Sequence, residues 1–246
     1  MTITGIPPKI WFGNVCSKND FPVTDAQLDQ LEQYVGLLLD WNKKINLISR
    51  KDDENIWENH VLHCASLLFK LDFPRSASVI DIGTGGGLPG IPLKILQPDL
   101  DVTLLDATQK KITAVREILN KLEMSGISTQ WGRAEEIGKR AENKGRFDIA
   151  VTRAVAPLGD LVKWSRPFLK TKDDATPGKT TPLGNGGLHL AVTPPALIAM
   201  KGGELEQEIS ATRGDKKIRE TKVIDLVFSE SEKISLSDKK VVLVYF

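Results

Sequence analysis

Val79-Ile80-Asp81-Ile82-Gly83-Thr84-Gly85-Gly86-Gly87-Leu88-Pro89-Gly90 is the stretch whose reading decides the fold. A short apolar run, Ser78 to Ile82, leads into glycines, and Pro89 to Gln97 reads as a helix stopped by Pro98. Strand, glycine turn and helix in that order open a βαβ unit. Glycines here permit positive φ and let a ligand approach the backbone closely. The helix start leaves N–H groups free, and Pro89 suits a first helical turn.

Downstream the pattern repeats. Val102 to Leu105 is a second strand ending at Asp106, and Ile112, Val115, Leu119 and Leu122 mark the next helix. Ile127 to Trp131 is a third strand, followed by a short helix at Ala134 to Lys139. Phe147 to Val151 is a fourth, followed by a helix around Leu158 to Trp164. A strand at Ala196 to Met200 continues the fold, and Val223 to Phe228 and Val241 to Phe246 are two final strands. Their separation is short and polar, which predicts antiparallel pairing. Alternating strands and helices place the chain in the α/β class, with a doubly wound, mostly parallel sheet.

Upstream of Ser76 no strand is visible. Residues 1–22 carry Pro7, Pro8, Gly13 and Pro22 and read as irregular. Thr24 or Asp25 can cap a helix on which Leu28, Leu31, Val35, Leu38 and Ile45 fall near helical spacing. Trp57, Val61, Cys64 and Leu68 share one face of a second. The expected organisation is therefore an N-terminal irregular segment and helical cap over 1–75 and a ligand-binding domain over 76–246. Residues 171–195, rich in proline and glycine, read as a flexible insertion.

Two ligands suit the glycine turn. Gly85, Gly87 and Gly90 match G-x-G-x-x-G, with Asp106 about 20 residues on, as in a dinucleotide fold. S-adenosyl-L-methionine is the other candidate. Asp81, two residues before the first glycine, can face the ammonium of a methionine moiety, whereas it would repel a pyrophosphate. Asp106 can accept ribose hydroxyls from either ligand. No Pro-Cys pair offers the thiolate of a pyrimidine C5 methyltransferase, and no Asn/Asp-Pro-Pro-aromatic motif serves amino-group methylation.

The bulk properties bound the setting. The chain has 246 residues, 41% hydrophobic and 26% charged, ordinary values for a globular protein. No run approaches the roughly 20 apolar residues of a membrane helix, and Met1 to Asp20 does not read as a secretory signal. Two cysteines, Cys16 and Cys64, are too few for a disulfide framework and fit a reducing, cytoplasmic setting. A net charge of +1 gives no global pull toward a polyanion, so a nucleic-acid substrate would need a local basic patch.

Further segments occur in a telling order. Trp41-Asn42-Lys43-Lys44-Ile45-Asn46-Leu47 and His60-Val61-Leu62 precede the glycine turn. Arg133-Ala134-Glu135-Glu136, Phe147-Asp148-Ile149-Ala150-Val151-Thr152-Arg153-Ala154 and Met200-Lys201-Gly202 follow it. Across roughly residues 25–210, the insertion excepted, the chain resembles the bacterial small-subunit ribosomal RNA guanine-N7 methyltransferases, the glucose-inhibited division protein B family. The resemblance implies a seven-stranded class I methyltransferase sheet, Rossmann-like, with an N-terminal helical cap. It implies S-adenosyl-L-methionine as cofactor and methylation of one guanine N7 in the 530 loop of 16S rRNA. Carried over by residue, the cofactor site would comprise Gly83, Leu88, Ala134, Glu135 and Arg153, with Asp106-Ala107-Thr108 as the ribose segment. Asp81 and Gly85 join them from the turn itself. The chain departs from the family in two places: the usual His-Ile-Leu-Asp-Ser reads His60-Val61-Leu62-His63-Cys64, and the insertion at 171–195 is unusual.

Guanine N7 carries a lone pair and no proton, so its methylation needs no general base. Arg153 is the expected catalytic residue, by positioning at the cofactor–guanine junction, where its planar fork suits guanine O6 or a phosphate. The N7 edge is hard to reach in an A-form duplex, so a loop or flipped guanine is expected. Lys43, Lys44, Arg50, Lys51, Lys110, Lys111, Arg133 and Arg166 are candidate phosphate contacts. The expected partner is 16S rRNA in the 30S subunit or an assembly intermediate, with no membrane, no obligate protein partner and a monomeric enzyme. His60, His63 and Cys64 share a helical turn but lack metal-site spacing, which favours helix packing and no metal. Trp41 and Trp57 read as core, and Lys239 and Lys240 as cover for a sheet edge. Two other readings remain: a nicotinamide-dependent oxidoreductase, and a noncatalytic RNA-binding protein with a vestigial pocket, which intact Asp81 and Asp106 disfavour.

Overall fold

The computed structural model describes residues 5–153, 156–175, 189–231, 236 and 238–246. Two helices lead the chain, α1 (Pro8–Lys18) and α2 (Asp25–Asn42). The first overturns the irregular reading of residues 1–22. Pro8 is the first helical residue, where the missing N–H has no intrahelical partner to lose, and Phe12, Val15 and Cys16 give the helix a buried face. Thr24 and Gln27 close a reciprocal capping box at the start of α2. Leu31, Tyr34, Val35 and Leu38 then point inward at helical spacing. Ile45 lies beyond the helix, in a turn whose N–H reaches Trp41.

The second expected helix is broken into tighter and wider turns: a 3-10 turn at Arg50–Asn55, a π-helical turn at Trp57–Leu62, and α3 (His63–Ala65). Trp57 is buried, with its ring centroid 5.7 Å from that of Phe12, so its core reading holds; Trp41 is half-buried against the same core.

Among the described residues nine strands follow: β1 (Leu71–Asp72), β2 (Ser78–Ile82), β3 (Asp101–Asp106), β4 (Ile127–Trp131), β5 (Ile149–Arg153), β6 (Leu190–Ala191), β7 (Ala196–Gly202), β8 (Glu220–Asp225) and β9 (Lys239–Tyr245). Between them lie α4 (Gly90–Leu96), α5 (Gln109–Lys121), α6 (Ala134–Ile137), α7 (Leu158–Ser165) and α8 (Glu206–Ser210). The main sheet has seven strands in the order β4-β3-β2-β5-β7-β9-β8. All neighbours run parallel except β9, which is antiparallel to both β7 and β8. This is the expected doubly wound α/β sheet, with the expected antiparallel final pair. The fourth expected strand begins two residues late, because Phe147 makes only an isolated bridge to Leu169. The sixth, observed as β8, begins and ends three residues early.

Two expectations fail. Lys239 and Lys240 do not cover an edge: β9 is interior, and the edges are β4 and β8. Sequence order misleads here because the last strand inserts between two earlier ones. Residues 171–195 are also not uniformly irregular, since Leu190 and Ala191 pair in parallel with Leu71 and Asp72. The centre of the expected insertion, residues 176–188, lies outside the described residues.

Side chains alternate across the sheet with the period of two that a strand imposes. Val79, Val102, Leu104, Ile149, Val151, Ile198 and Leu243 pack with α1 to α5 in one core, while Ile80, Ile82, Ala150, Leu197, Val242 and Val244 pack with α6 and α7 in the other. Asp81 falls in register with the first set, so its side chain points toward the N-terminal helices. Strand order reverses between β2 and β5, and ligands of open α/β sheets bind at the C-terminal ends of strands beside such a switch.

Candidate active site

The glycine turn leaves β2 at that switch point. Gly83, Gly85 and Gly87 all have positive φ (76°, 58° and 99°), which a residue with a Cβ adopts only under strain. The N–H groups of Gly83 and Thr84 donate to the Leu105 carbonyl (2.8 and 3.0 Å), locking the turn to the end of β3. Asp81 is wholly buried beneath it. One carboxylate oxygen, Oδ2, accepts from the Thr84 hydroxyl (2.7 Å) and the Gly90 N–H (2.9 Å). Gly90 must be glycine for a different reason: a Cβ would lie 2.3 Å from Leu104 Cδ2 and 2.9 Å from Asp81 Oδ2. Asp81 Oδ1 has no donor among the described residues. Burial pushes the Asp81 carboxyl up to about 7, against the downward pull of Thr84, Gly90 and Arg153.

Asp106 ends β3 in register beside the turn. Its Oδ2 accepts from the Gly85 N–H (3.0 Å) and its Oδ1 from the Thr108 N–H (2.8 Å). A carboxylate offers about four acceptor positions, so each oxygen retains one. Ala107 and Thr108 are exposed beside it, and the exposed Trp131 donates its indole N–H to the Ala107 carbonyl (3.1 Å). Ala134 and Glu135 open α6 after β4, the first buried and the second half-exposed. Leu88 is buried. The glycine turn, the Asp106 segment and the Ala134 segment thus sit at the C-terminal ends of adjacent strands β2, β3 and β4. A sulfonium amino-acid nucleoside fits this donor set on two observations: an unpaired buried carboxylate oxygen for a cation, and a second carboxylate with free acceptor positions for a diol.

Arg153 ends β5 on the other side of the switch point. Its Nη1 donates to the Asn59 carbonyl (3.3 Å), and Thr152 before it donates to the Ile82 carbonyl (2.9 Å). Arg153 lines a cavity of about 610 Å³ with Ser49, Asp52, Asn59, His60 and His63. Leu236 and Lys239 line it too, so interior strand β9 brings to it a lysine that looked peripheral. A second cavity, about 600 Å³, is lined by Asn46 to Ser49 and Lys111. The backbone from Leu47 to Ser49 borders both.

His60 and His63 are buried, as packing would require, yet both face the cavity. Burial, reinforced by Arg153, lowers His60 to about 4 and His63 to about 3, so both imidazoles are neutral near pH 7. Among the described residues neither belongs to a metal-holding group of three or more His, Cys, Asp or Glu side chains. Cys64 is buried behind them, its thiol pushed up to about 12 by desolvation.

Four residues of the site carried no role in the sequence reading. The Tyr34 hydroxyl donates to the Gly86 carbonyl (2.9 Å), tying α2 to the glycine turn. Asn42 accepts from the N–H groups of Leu47 and Ile48 (2.9 and 3.0 Å) and donates to Asp53 (2.8 Å), so one buried amide shapes the 47–49 wall. Asp52 and Asn59 pair at 3.0 Å on the cavity. Asn42 stands inside the Trp41–Leu47 motif; nothing local distinguishes Asp52 or Asn59 from surface polar residues.

The basic candidates divide. Lys43 pairs with Asp40 (2.8 Å), and Lys44 lies 4.7 Å over the Trp41 ring. Lys51 and Lys110 are exposed, and Lys111 lines the second cavity. Arg133 lies 3.7 Å from Glu135. Arg166 is committed elsewhere, ion-paired with Asp215 and 5.2 Å over the Phe246 ring.

Comparison with known proteins gives the chain a family. Residues 27–180 match the family model described as rRNA small subunit methyltransferase G. Among curated proteins of that name, the one from Moorella thermoacetica is 37% identical over 80% of this chain and 81% of its own. One from Bacteroides fragilis is 41% identical over 76% and 81%, and one from Clostridium botulinum 33% identical over 94% and 87%. Among solved structures, an rRNA methylase from Streptococcus thermophilus overlies with a TM-score of 0.46 at 12% identity, covering 75% of this chain and 93% of that one. On the extent of the family match and of these sequence relatives, the chain belongs to the rRNA small subunit methyltransferase G family.

Proposed function

We propose that this chain transfers a methyl group from S-adenosyl-L-methionine to N7 of a guanine in the 530 loop of 16S rRNA, within the 30S subunit or an assembly intermediate. The family's name supplies the substrate class. The observation that carries the chemistry is the pair of carboxylates, Asp81 and Asp106, at neighbouring strand ends on either side of Gly85. A dinucleotide pyrophosphate against the unpaired Asp81 oxygen would meet a buried acid; an ammonium would meet its counterion.

In this reading Asp81 faces the ammonium, Gly83, Gly85 and Leu88 cradle the methionine moiety, and Asp106, Ala107 and Thr108 hold the ribose. Ala134 and Glu135 border the adenine. The bound sulfonium supplies an activated methyl group; alignment and water exclusion fall to the chain. Guanine N7 has no proton to remove, and the neutral His60 and His63 add no positive charge of their own beside a purine that becomes positively charged. Arg153, at the edge shared by turn and cavity, orients the base through O6 or an adjacent phosphate. A ribosomal substrate places this work in the cytoplasm, and a monomer suffices because the chain itself supplies every proposed contact. The helical cap of residues 1–75 and the cofactor domain of residues 76–246 work as one unit across a common core.

The test is incubation of 30S subunits with methyl-labelled cofactor, followed by mapping of the modified base. Label on guanine N7 in the 530 loop is the expected result; label on a protein or small molecule overturns the assignment. Calorimetry with S-adenosylhomocysteine and with NAD separates the methyltransferase from an oxidoreductase directly.

A further inference from the structure

We propose that Asp52 selects guanine, its carboxylate accepting hydrogen bonds from N1–H and the N2 amine of the target base in the cavity beside Arg153. This rests on the methyltransferase reading above and deepens it. Three features of the cavity carry it.

The first is geometry. Asn59 spans the cavity wall with both of its polar ends. Its carbonyl accepts from Arg153, and its side-chain amide donates to Asp52 Oδ1 at 3.0 Å. Asp52 and Arg153 therefore stand at opposite ends of one residue. Guanine presents opposite chemistry at opposite edges: N7 and O6 accept, N1–H and the N2 amine donate. A base with N7 toward the cofactor and O6 near Arg153 turns its donor edge toward Asp52.

The second is capacity. Asp52 Oδ2 lies 3.4 Å from His60 Nε2, outside hydrogen-bond geometry, so among the described residues Asn59 is its one side-chain donor. The carboxylate therefore retains acceptor positions for two parallel N–H groups. Among the described residues, both His60 ring nitrogens and His63 Nε2 are buried at this cavity without a hydrogen-bond partner, which marks a wall built for a polar occupant. The volume, about 610 Å³, falls within the roughly 300–1,000 Å³ of small-molecule sites.

The third is charge. Forming the N7–CH3 bond and breaking the S–CH3 bond moves the positive charge from sulfur onto the purine. A carboxylate against the N1–N2 edge stabilises that charge as it develops. Adenine, with an acceptor at N1, would set lone pair against carboxylate and be rejected.

The experiment uses 30S subunits reconstituted with 16S RNA bearing either guanosine or inosine, which lacks the N2 amine, at the methylated position. Wild type should turn over the guanosine substrate about tenfold or more faster than the inosine one, the expected loss of one hydrogen bond to a charged group. Asp52→Asn keeps size and the Asn59 contact but replaces an acceptor with a donor. It should lose most kcat/KM on guanosine and bring the two substrates within about twofold, while S-adenosylhomocysteine binding by calorimetry stays unchanged. Equal wild-type rates on guanosine and inosine overturn the inference, as does an Asp52→Asn enzyme with wild-type rate and selectivity. A wild type that methylates no guanine at all instead overturns the methyltransferase assignment, on which the inference rests.

Discussion

Asp81→Asn separates stability from ligand binding, and the two should move in opposite directions at alkaline pH. The carboxyl is wholly buried and pushed from 3.8 to about 7. A folded-state value above the unfolded one means that folding favours the protonated form. Its contribution is intact below the unfolded value and drains away as pH rises through the folded one. At about 1.4 kcal/mol per pH unit, burying this carboxyl costs roughly 2 kcal/mol at pH 5, where the folded state keeps it protonated and the unfolded state ionises it, and roughly 4 at pH 8, where both states are charged. Asparagine does not titrate. Urea denaturation of the ligand-free proteins should therefore show wild type losing about 2–3 kcal/mol relative to Asp81→Asn between those pH values. Binding should go the other way. Losing the counterion to a cationic ammonium should weaken S-adenosylhomocysteine by about 1.5–3 kcal/mol in calorimetry. Parallel stability profiles for the two proteins would refute the buried-acid account, and unchanged affinity would remove Asp81 from the ammonium's surroundings.

Gly90→Ala should cost about 1–3 kcal/mol of unfolding free energy, because its methyl meets Leu104 and Asp81 at 2.3 and 2.9 Å; a urea midpoint equal to wild type would contradict the packing. Tyr34→Phe removes the donor to Gly86 and should cost about 1–3 kcal/mol, read in the same assay. Arg153→Ala should abolish N7 methylation with the melting temperature nearly unchanged; near-normal turnover removes Arg153 from the reaction. With His60 at about 4 and His63 at about 3, the methylation rate between pH 6 and 8 should show no ionisation assignable to either, so replacing His63 with Gln should leave the shape of that profile unaltered.

The geometry of the glycine turn was legible because it is local. Asp81, the glycines and Gly90 lie in one short run, and strand–turn–helix order dictates where they go. Asp106 and Arg153 could be placed because each ends a strand whose neighbours follow from parallel topology. The opposite cavity was not legible. Asp52, Asn59 and His60 come from a segment of 3-10 and π turns that has no single period to read. Lys239 arrives from a strand inserted between two earlier ones, an order that no local pattern encodes. The helix at Pro8 was hidden for a different reason: proline is read as a breaker, and only position distinguishes a breaker from a first residue.

Leu47, Ile48 and Ser49 border both cavities, and a Cβ on Gly85 would come within 3.5 Å of the Leu47 carbonyl. Three residues common to two cavities have a kinetic consequence. Whatever settles on one side braces or crowds the wall that the other side shares, so arrivals in the two compartments are not independent events. Occupancy of one cavity then biases occupancy of the other through a segment whose Leu47 and Ile48 N–H groups are held by the amide of Asn42.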